Sequence, residues 1–417
     1  MLYALYQSAA DLMLPMRAWA NATGQTLAAG GGGRQSWQTA GALCEMMSRA
    51  TLSHRRPSFG IDETRMGNET VPVHEEEVLA TPFGTLLRFA KEGVPPQPRV
   101  LLVAPLSGHF ATLLRDTVRV LLPEHDVHIT DWANARDVGM WNGRFGFDEY
   151  VEHLIRFLEA MGPGAHVIAV CQPCVQALAA AAVMAEDDNP AQPRSMTLMA
   201  GPIDTRVSPT KVNELAMGKP IGWFEQNLIA RVPLRFPGAL RRVYPGFVQL
   251  TAFMSMNAER HIKAQVDLYR HLANGEQEQA ATIKAFYDEY FAVLDMTAEF
   301  YLETVQWVFQ EHRLAKGELD WKGQAGQSQG DPAHRPVHGR GRTRRHLCGR
   351  PDSGRPRPLF QPATLSQKTL YAGGRRPLWR VQRPPLGRPD LSLGAEYDSG
   401  QRIASFLDTN PQYIVGM

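Results

Sequence analysis

A short apolar run, Val167-Ile168-Ala169-Val170, breaks at Cys171-Gln172-Pro173 and continues as an Ala/Val/Met-rich helical pattern through Glu186. A side chain at a sharp strand-to-helix corner stands above the sheet, beside a helix N-terminus. The unpaired N–H groups there favour negative charge, which suits both a thiolate and a developing oxyanion. Cys171 is therefore a candidate nucleophile. It fits equally a small apolar Cys closing a core strand, and the local pattern leaves both readings open. A nucleophile of this kind needs an oxyanion hole, a His base and an acid that orients the base. The Gln172 backbone N–H is one oxyanion donor. Leu106 or Ser107, just after the run Arg99 to Pro105, offers the second. Ala169 and Pro173 stand where such corners often carry Gly; Ala is small, and Pro suits the first turn of a helix.

Cys171 and Cys174 also form a C-x-x-C pair at a helix start, the pattern of a redox dithiol. Three strands and an edge region precede it here, whereas a redox pair normally follows one early strand, so the hydrolytic reading ranks first. No second Cys pair or spaced His pair accompanies them, and no metal site is expected. His109 opens a helix beside the Leu106-Ser107 turn, and Asp131-Trp132 ends a strand. Ser107, His109, Asp131 and Trp132 are thus expected to line a pocket. Nothing in the pattern asks for a cofactor.

The elements that must hold these residues alternate. Arg99 to Pro105, Val127 to Trp132, His166 to Val170 and Ser195 to Gly201 read as buried strands; His109 to Leu122, Phe147 to Met161 and the helix after Cys171 separate them. This order predicts a parallel, helix-covered sheet, in which ligands sit beyond the carboxyl ends of the strands. Upstream, Met1 to Ala22 reads as an amphipathic helix, 28–38 as a Gly-rich loop, Thr39 to Leu52 as a second helix and Val71 to Ala90 as an edge hairpin. Downstream, from Ser208 to about Arg313, strand signals stop. Trp223 to Leu234, Val248 to Met256, His261 to Leu272 and Gln277 to Leu314 read as helices, an all-helical insertion of the kind that caps a site.

Composition limits the classes. Of 417 residues 44% are hydrophobic and 21% charged, which fits a globular protein with a large core. No run of eighteen apolar residues is present, so no membrane span is expected, and Met1 to Ala22 lacks the plan of a secretory signal. Four Cys are too few for a disulfide framework in a chain this long, and a reducing cytoplasm is the expected compartment. The net charge of +2 conceals a break. From Gln324 to Met417 there are fifteen Lys and Arg, fourteen of them Arg, against six Asp and Glu. That is a net of +9, which leaves −7 for the rest. The same stretch holds eleven of the thirty Pro.

Several motifs, in order, carry a family resemblance. Pro105-Leu106-Ser107-Gly108-His109, Ala111 to Arg119, Ile129-Thr130-Asp131-Trp132, Val170-Cys171-Gln172-Pro173, Gly201-Pro202-Ile203-Asp204 and Arg241 to Phe247 together resemble the intracellular polyhydroxyalkanoate (poly-3-hydroxybutyrate) depolymerases. The likeness runs from Met1 to about Gly323. It implies an α/β-hydrolase fold with a helical cap, a Cys-His-Asp triad with its nucleophile at Cys171, and an oxyanion hole from the Gln172 and Leu106 amides. The implied partner is the polyester of cytoplasmic storage granules and their surface, with no nucleic acid.

The family's acid would lie in a segment like Val-Glu-Gly-Glu-x-Asp-Asp and its base in one like Gly-His-Tyr-Gly. Neither occurs in this chain. The degenerate codons of Val337 to Leu347, displaced by one nucleotide, can read Phe-Thr-Val-Glu-Gly-Glu-Arg-Asp-Asp-Ile-Cys. Those of Arg375 to Val381 can read Val-Gly-His-Tyr-Gly-Val-Phe. Two family motifs in one frame and in the right order outweigh a basic arm that binds nucleic acid or an acidic surface. The expected plan is an N-terminal helical and edge region at 1–79, a hydrolase core at 80–204, a cap at 205–316, and an out-of-frame tail at 317–417 without a stable fold. The sheet is then incomplete at its C-terminal end.

Overall fold

The computed structural model describes residues 2–30, 35–207 and 209–322, and the backbone of three short strands at 345–346, 368–371 and 380–381. The expectations for the Arg-rich tail otherwise fall outside the described residues. Two helices open the chain, α1 (Leu2–Gly30) and α2 (Gln35–Arg49). The first helix runs eight residues past Ala22, into the stretch expected to be loop. Strands β1 (Glu63–Met66), β2 (Glu69–Ala80) and β3 (Gly84–Lys91) then form an antiparallel meander.

The core follows as β4 (Arg99–Val103), α3 (Arg115–Leu121), β5 (Asp126–Trp132), α4 (Phe147–Met161), β6 (His166–Val170), α5 (Cys174–Glu186) and β7 (Ser195–Met199). Apolar runs produce the strands because both faces of the sheet are covered: β4, β5 and β6 bury nearly every residue. The strand order is β1-β2-β3-β5-β4-β6-β7, continued by Lys368–Tyr371 and Arg380–Val381. Strands β5, β4, β6 and β7 are parallel. Lys368–Tyr371 runs antiparallel to β7. An α/β architecture with a central parallel sheet is therefore present, with one apolar cluster on each face. The chain passes from β4 to β5 on one side and returns across β4 to form β6. The loops after β4 and β6 so part over a crevice at a switch of strand order.

Beyond β7 come α6 (Lys211–Gly218), α7 (Ile221–Leu228), α8 (Gly246–Met256), α9 (Ala258–Asn274), α10 (Gln277–Tyr290) and α11 (Ala298–Glu303). The insertion is not all helical. Ala230–Arg231, Arg242–Tyr244 and Met296–Thr297, here β8, β9 and β10, form a small antiparallel sheet. The long helix expected over Gln277 to Leu314 is also broken, because the backbone of 292–295 is bonded elsewhere. Val293 N–H donates to the Ser53 carbonyl at 2.7 Å, Leu294 N–H to the Gly108 carbonyl at 3.0 Å, and Asp295 N–H to Asn134 Oδ1 at 3.0 Å. A segment whose amides are committed to three other stretches has none left for a helical ladder.

Asp295 is the hub of this segment and is fully buried. Its Oδ2 accepts the Tyr3 hydroxyl at 2.6 Å, its Oδ1 accepts the Gly246 N–H at 2.9 Å, and its carbonyl accepts the Ala135 N–H at 3.0 Å. The N-terminal helix is fixed here, with Tyr6 stacked on Phe247 at 4.0 Å between ring centroids. Among the described residues no helix is long and apolar enough to cross a membrane.

Burial pushes the Asp295 carboxyl up to about 6, against the lowering effect of Tyr3 and Gly246. A carboxyl raised on folding favours the folded state while it is protonated. That contribution is complete below about pH 4 and is lost as pH rises through about 6. Asp295→Asn removes the titration. The unfolding free energy of the wild type, measured in urea, is expected to fall relative to that of Asp295→Asn by on the order of 2–3 kcal/mol between pH 4 and pH 7. A difference that stays flat over this range would rule out Asp295 as the titrating group.

Candidate active site

Val103, the last residue of β4, pairs with Ala169 of β6, so the two strands reach their carboxyl ends side by side. Two residues past Ala169 the backbone of Cys171 turns to a φ of 67°. Positive φ is disfavoured for a residue with a Cβ, costing roughly 1–2 kcal/mol. The surroundings hold the turn: Cys171 N–H donates to the Met199 carbonyl at 2.7 Å, and Cys174 N–H to the Cys171 carbonyl at 3.1 Å. Pro173, at φ −65°, then caps α5 in a helical conformation. The Cys171 side chain is half-buried, at the edge of the apolar cluster containing Val170 and Leu114.

The corner is packed too closely for larger neighbours. A Cβ on Gly201, which follows β7, would lie 2.2 Å from the Cys174 Cβ. Cys174 itself is fully buried, its Sγ 3.2 Å from the Ala169 carbonyl oxygen. Burial, with Cys171 adding to it, pushes the Cys174 thiol well above the ordinary thiol range. Cys174 is thus a core residue with an inert thiol, a placement that does not suit a redox partner for Cys171.

The second strand end carries the loop Leu106-Ser107-Gly108. Leu106 and Ser107 are buried. Gly108 has a φ of 85°, and its carbonyl is the acceptor for Leu294. The Gln249 side chain covers Gly108 so closely that a Cβ there would meet its Oε1 at 3.0 Å. Glycine at 108 therefore answers both a backbone and a packing demand. Gln249 and Leu294, which lock this loop, carried no sequence signal; their role depends on chain crossings that a local pattern does not encode.

The remaining expected pocket residues separate. His109 is fully buried, its Nε2 3.1 Å from the Tyr290 carbonyl oxygen and its ring stacked against Tyr290 and Phe253. Burial brings its pKa down to about 4, so the ring is neutral at pH 7. Asp131 is paired with Arg56 at 2.5 Å, on strand β5 next to β3. Burial pushes its carboxyl up to about 6, while Arg56 pulls it down. Trp132 is a core side chain among Phe83, Phe145 and Tyr150, with its indole N–H on the Ala104 carbonyl at 3.0 Å. The side chains of Asp131 and Trp132 are engaged in structure, away from the pocket lining expected of them. Asp204, after β7, is held by Arg206 at 2.8 Å.

The strain at the corner has a direct test. Cys171→Gly and Cys171→Ala both delete the thiol, but only glycine relieves a φ of 67°. The glycine variant is expected to be more stable than the alanine variant by about 1 kcal/mol in urea unfolding. Equal stabilities would mean that the turn is unstrained.

Three comparisons bear on this arrangement. Residues 200–329 match the family model described as PHB de-polymerase C-terminus. No curated protein matches. Among solved structures, an Acinetobacter baumannii AYE protein assigned as a lipase is 16% identical over 53% of this chain, with a TM-score of 0.25. The match covers 65% of that protein, less than two thirds of its length. The fold rests on the strand order given above and not on this overlap. Segment 200–329, about a third of the chain, is thus similar to the C-terminal part of PHB depolymerases.

Proposed function

We propose that the chain is built to cleave the ester bonds of a storage polyester through a Cys171 thiol ester, and that as translated it lacks the residues to turn over. One observation carries the first half: a cysteine held at positive φ between a parallel strand and a helix, beside the end of the neighbouring strand. A strained corner of this kind is what a nucleophile elbow requires.

In the reaction, Cys171 Sγ attacks the ester carbonyl carbon. The backbone N–H groups of Gln172 and Leu106 hold the oxyanion while the tetrahedral intermediate collapses. A triad histidine, supplied by the displaced frame, would take the Cys171 thiol proton and pass it to the leaving alcohol; it would then take a proton from water as the hydroxyl attacks the thiol ester, and return it to the departing sulfur. The match of segment 200–329 to the PHB depolymerase model supports a polyester as the substrate class, with hydroxyacid oligomers and monomers as the products. Granule association in the cytoplasm belongs to the same reading.

The second half concerns the acid and base. His109 is a poor substitute for the base, because its ring is buried against Tyr290 and Phe253 and its Nε2 faces a backbone carbonyl. What supports a shifted frame is the position of the family match. A model of the family's C-terminus ends at residue 329, close to the composition break at Gln324, with most of the Arg-rich stretch still to follow.

Two chains decide the matter. The chain as given is expected to degrade amorphous poly-3-hydroxybutyrate no faster than its Cys171→Ala variant. A chain translated from codon 324 in the displaced frame should gain turnover on the order of 10⁶ in kcat, the loss typical when a triad's base is removed. Cys171→Ala in the restored chain should abolish that gain. Degradation by the present chain at a rate near that of the restored one would refute the missing-base reading, and so would an intact gene whose close homologues share the Arg-rich tail. Full turnover by the restored Cys171→Ala chain would refute the nucleophile.

A further inference from the structure

Helix α1 carries its apolar periodicity on the side that faces solvent. Tyr3 and Ala20 are buried against the body, and Arg17 reaches Thr51 at 2.9 Å. On the outer side Leu2, Leu5, Ala9, Leu12, Met16 and Trp19 follow one another at steps of three and four, the spacing of a single helix face. All six are exposed or close to it; Leu12 is 80% and Trp19 64% exposed. The stripe is roughly 25 Å long at 1.5 Å per residue. Apolar residues recurring at this period normally turn inward, and a contiguous outward stripe marks an interaction surface.

The charge pattern selects the occupant. From Leu2 to Gly30 the helix has only two charged residues, Asp11 and Arg17. Both are engaged with the body, Asp11 with Arg235 at 2.7 Å and Arg17 with Thr51. A helix that lies on anionic lipid displays Lys and Arg on its polar face, and α1 has none to spare. A coiled-coil seam to a second copy sets its register with flanking charges, and the positions beside this stripe include Tyr6, Ser8, Met13 and Pro15. A neutral stripe without register devices fits a neutral, featureless apolar surface. The helix is also held firmly from behind, through Tyr3 on Asp295 and Tyr6 on Phe247.

We propose that the outer face of α1 docks the protein on the uncharged surface of an apolar polyester particle, with Leu12 and Trp19 as its main contacts. This rests on the polyester reading of the site, but it needs neither the nucleophile nor a functioning triad.

The test uses the whole chain and bare amorphous poly-3-hydroxybutyrate particles in a co-sedimentation assay. Wild type and Cys171→Ser should sediment equally. Leu12→Glu/Trp19→Glu should lose at least tenfold in affinity, with circular dichroism and melting temperature unchanged. Val120→Glu, an exposed apolar site on α3, should bind like wild type. Binding of the α1 double variant at wild-type strength would overturn the docking surface and leave the polyester reading standing. No binding of the wild type to the particles would overturn the polyester reading itself. Equal or tighter binding to phosphatidylglycerol vesicles, lost in the double variant, would reassign the face to lipid. A wild-type dimer that the double variant dissolves would reassign it to a second copy.

Discussion

A single residue, Asp295, meets partners from three distant parts of the chain. Its side chain takes Tyr3 of the first helix and the Gly246 amide at the start of α8, and its backbone bonds Asn134 and Ala135 after β5. Burying a carboxyl costs free energy, and the raised pKa reports that cost. The donors around it make the burial tolerable, and each donor comes from an element that would otherwise be free to drift. The two residues before it, Val293 and Leu294, give their amides to Ser53 and Gly108. The N-terminal helix, the segment after β7 and the loop beside Cys171 are thus referred to one short stretch, 293–295.

That arrangement explains how a loop and a corner from different strands are held still. The Cys171 backbone is strained, and strain persists only where the surroundings over-determine it. Met199 fixes the amide before the turn, Cys174 and Gly201 fill the space behind it, and Leu294 with Gln249 closes the neighbouring loop. The chemistry proposed for Cys171 asks for little more than this rigidity, together with a base and an acid to move protons.

Much of this was legible in the residues. The strands of the parallel sheet announced themselves as apolar runs because both sheet faces are covered. The Cys-Gln-Pro corner stood out because a helix begins at once after a strand. The segment around Asp295 did not, since Ala-Val-Leu-Asp-Met-Thr between two helical patterns reads as more helix, and what stops it are hydrogen bonds to residues far away in sequence. Asp131 and Trp132 misled for a related reason. They end a strand where ligands gather, but the partner of one is Arg56, from a segment ahead of the meander, and the other turns into the core. A strand end gives a side chain's position, while its neighbours decide its use.

The bond that anchors the first helix spans 292 residues of sequence. At a synthesis rate of about 5–20 residues per second, Tyr3 waits roughly 15 to 60 s for Asp295 to be made. During that interval α1 is on a growing chain with its apolar stripe displayed, and of its rear-face partners only near ones such as Thr51 and His54 have been made. The first surface this protein meets can therefore be met while it is still on the ribosome, before the fold that will orient the helix exists.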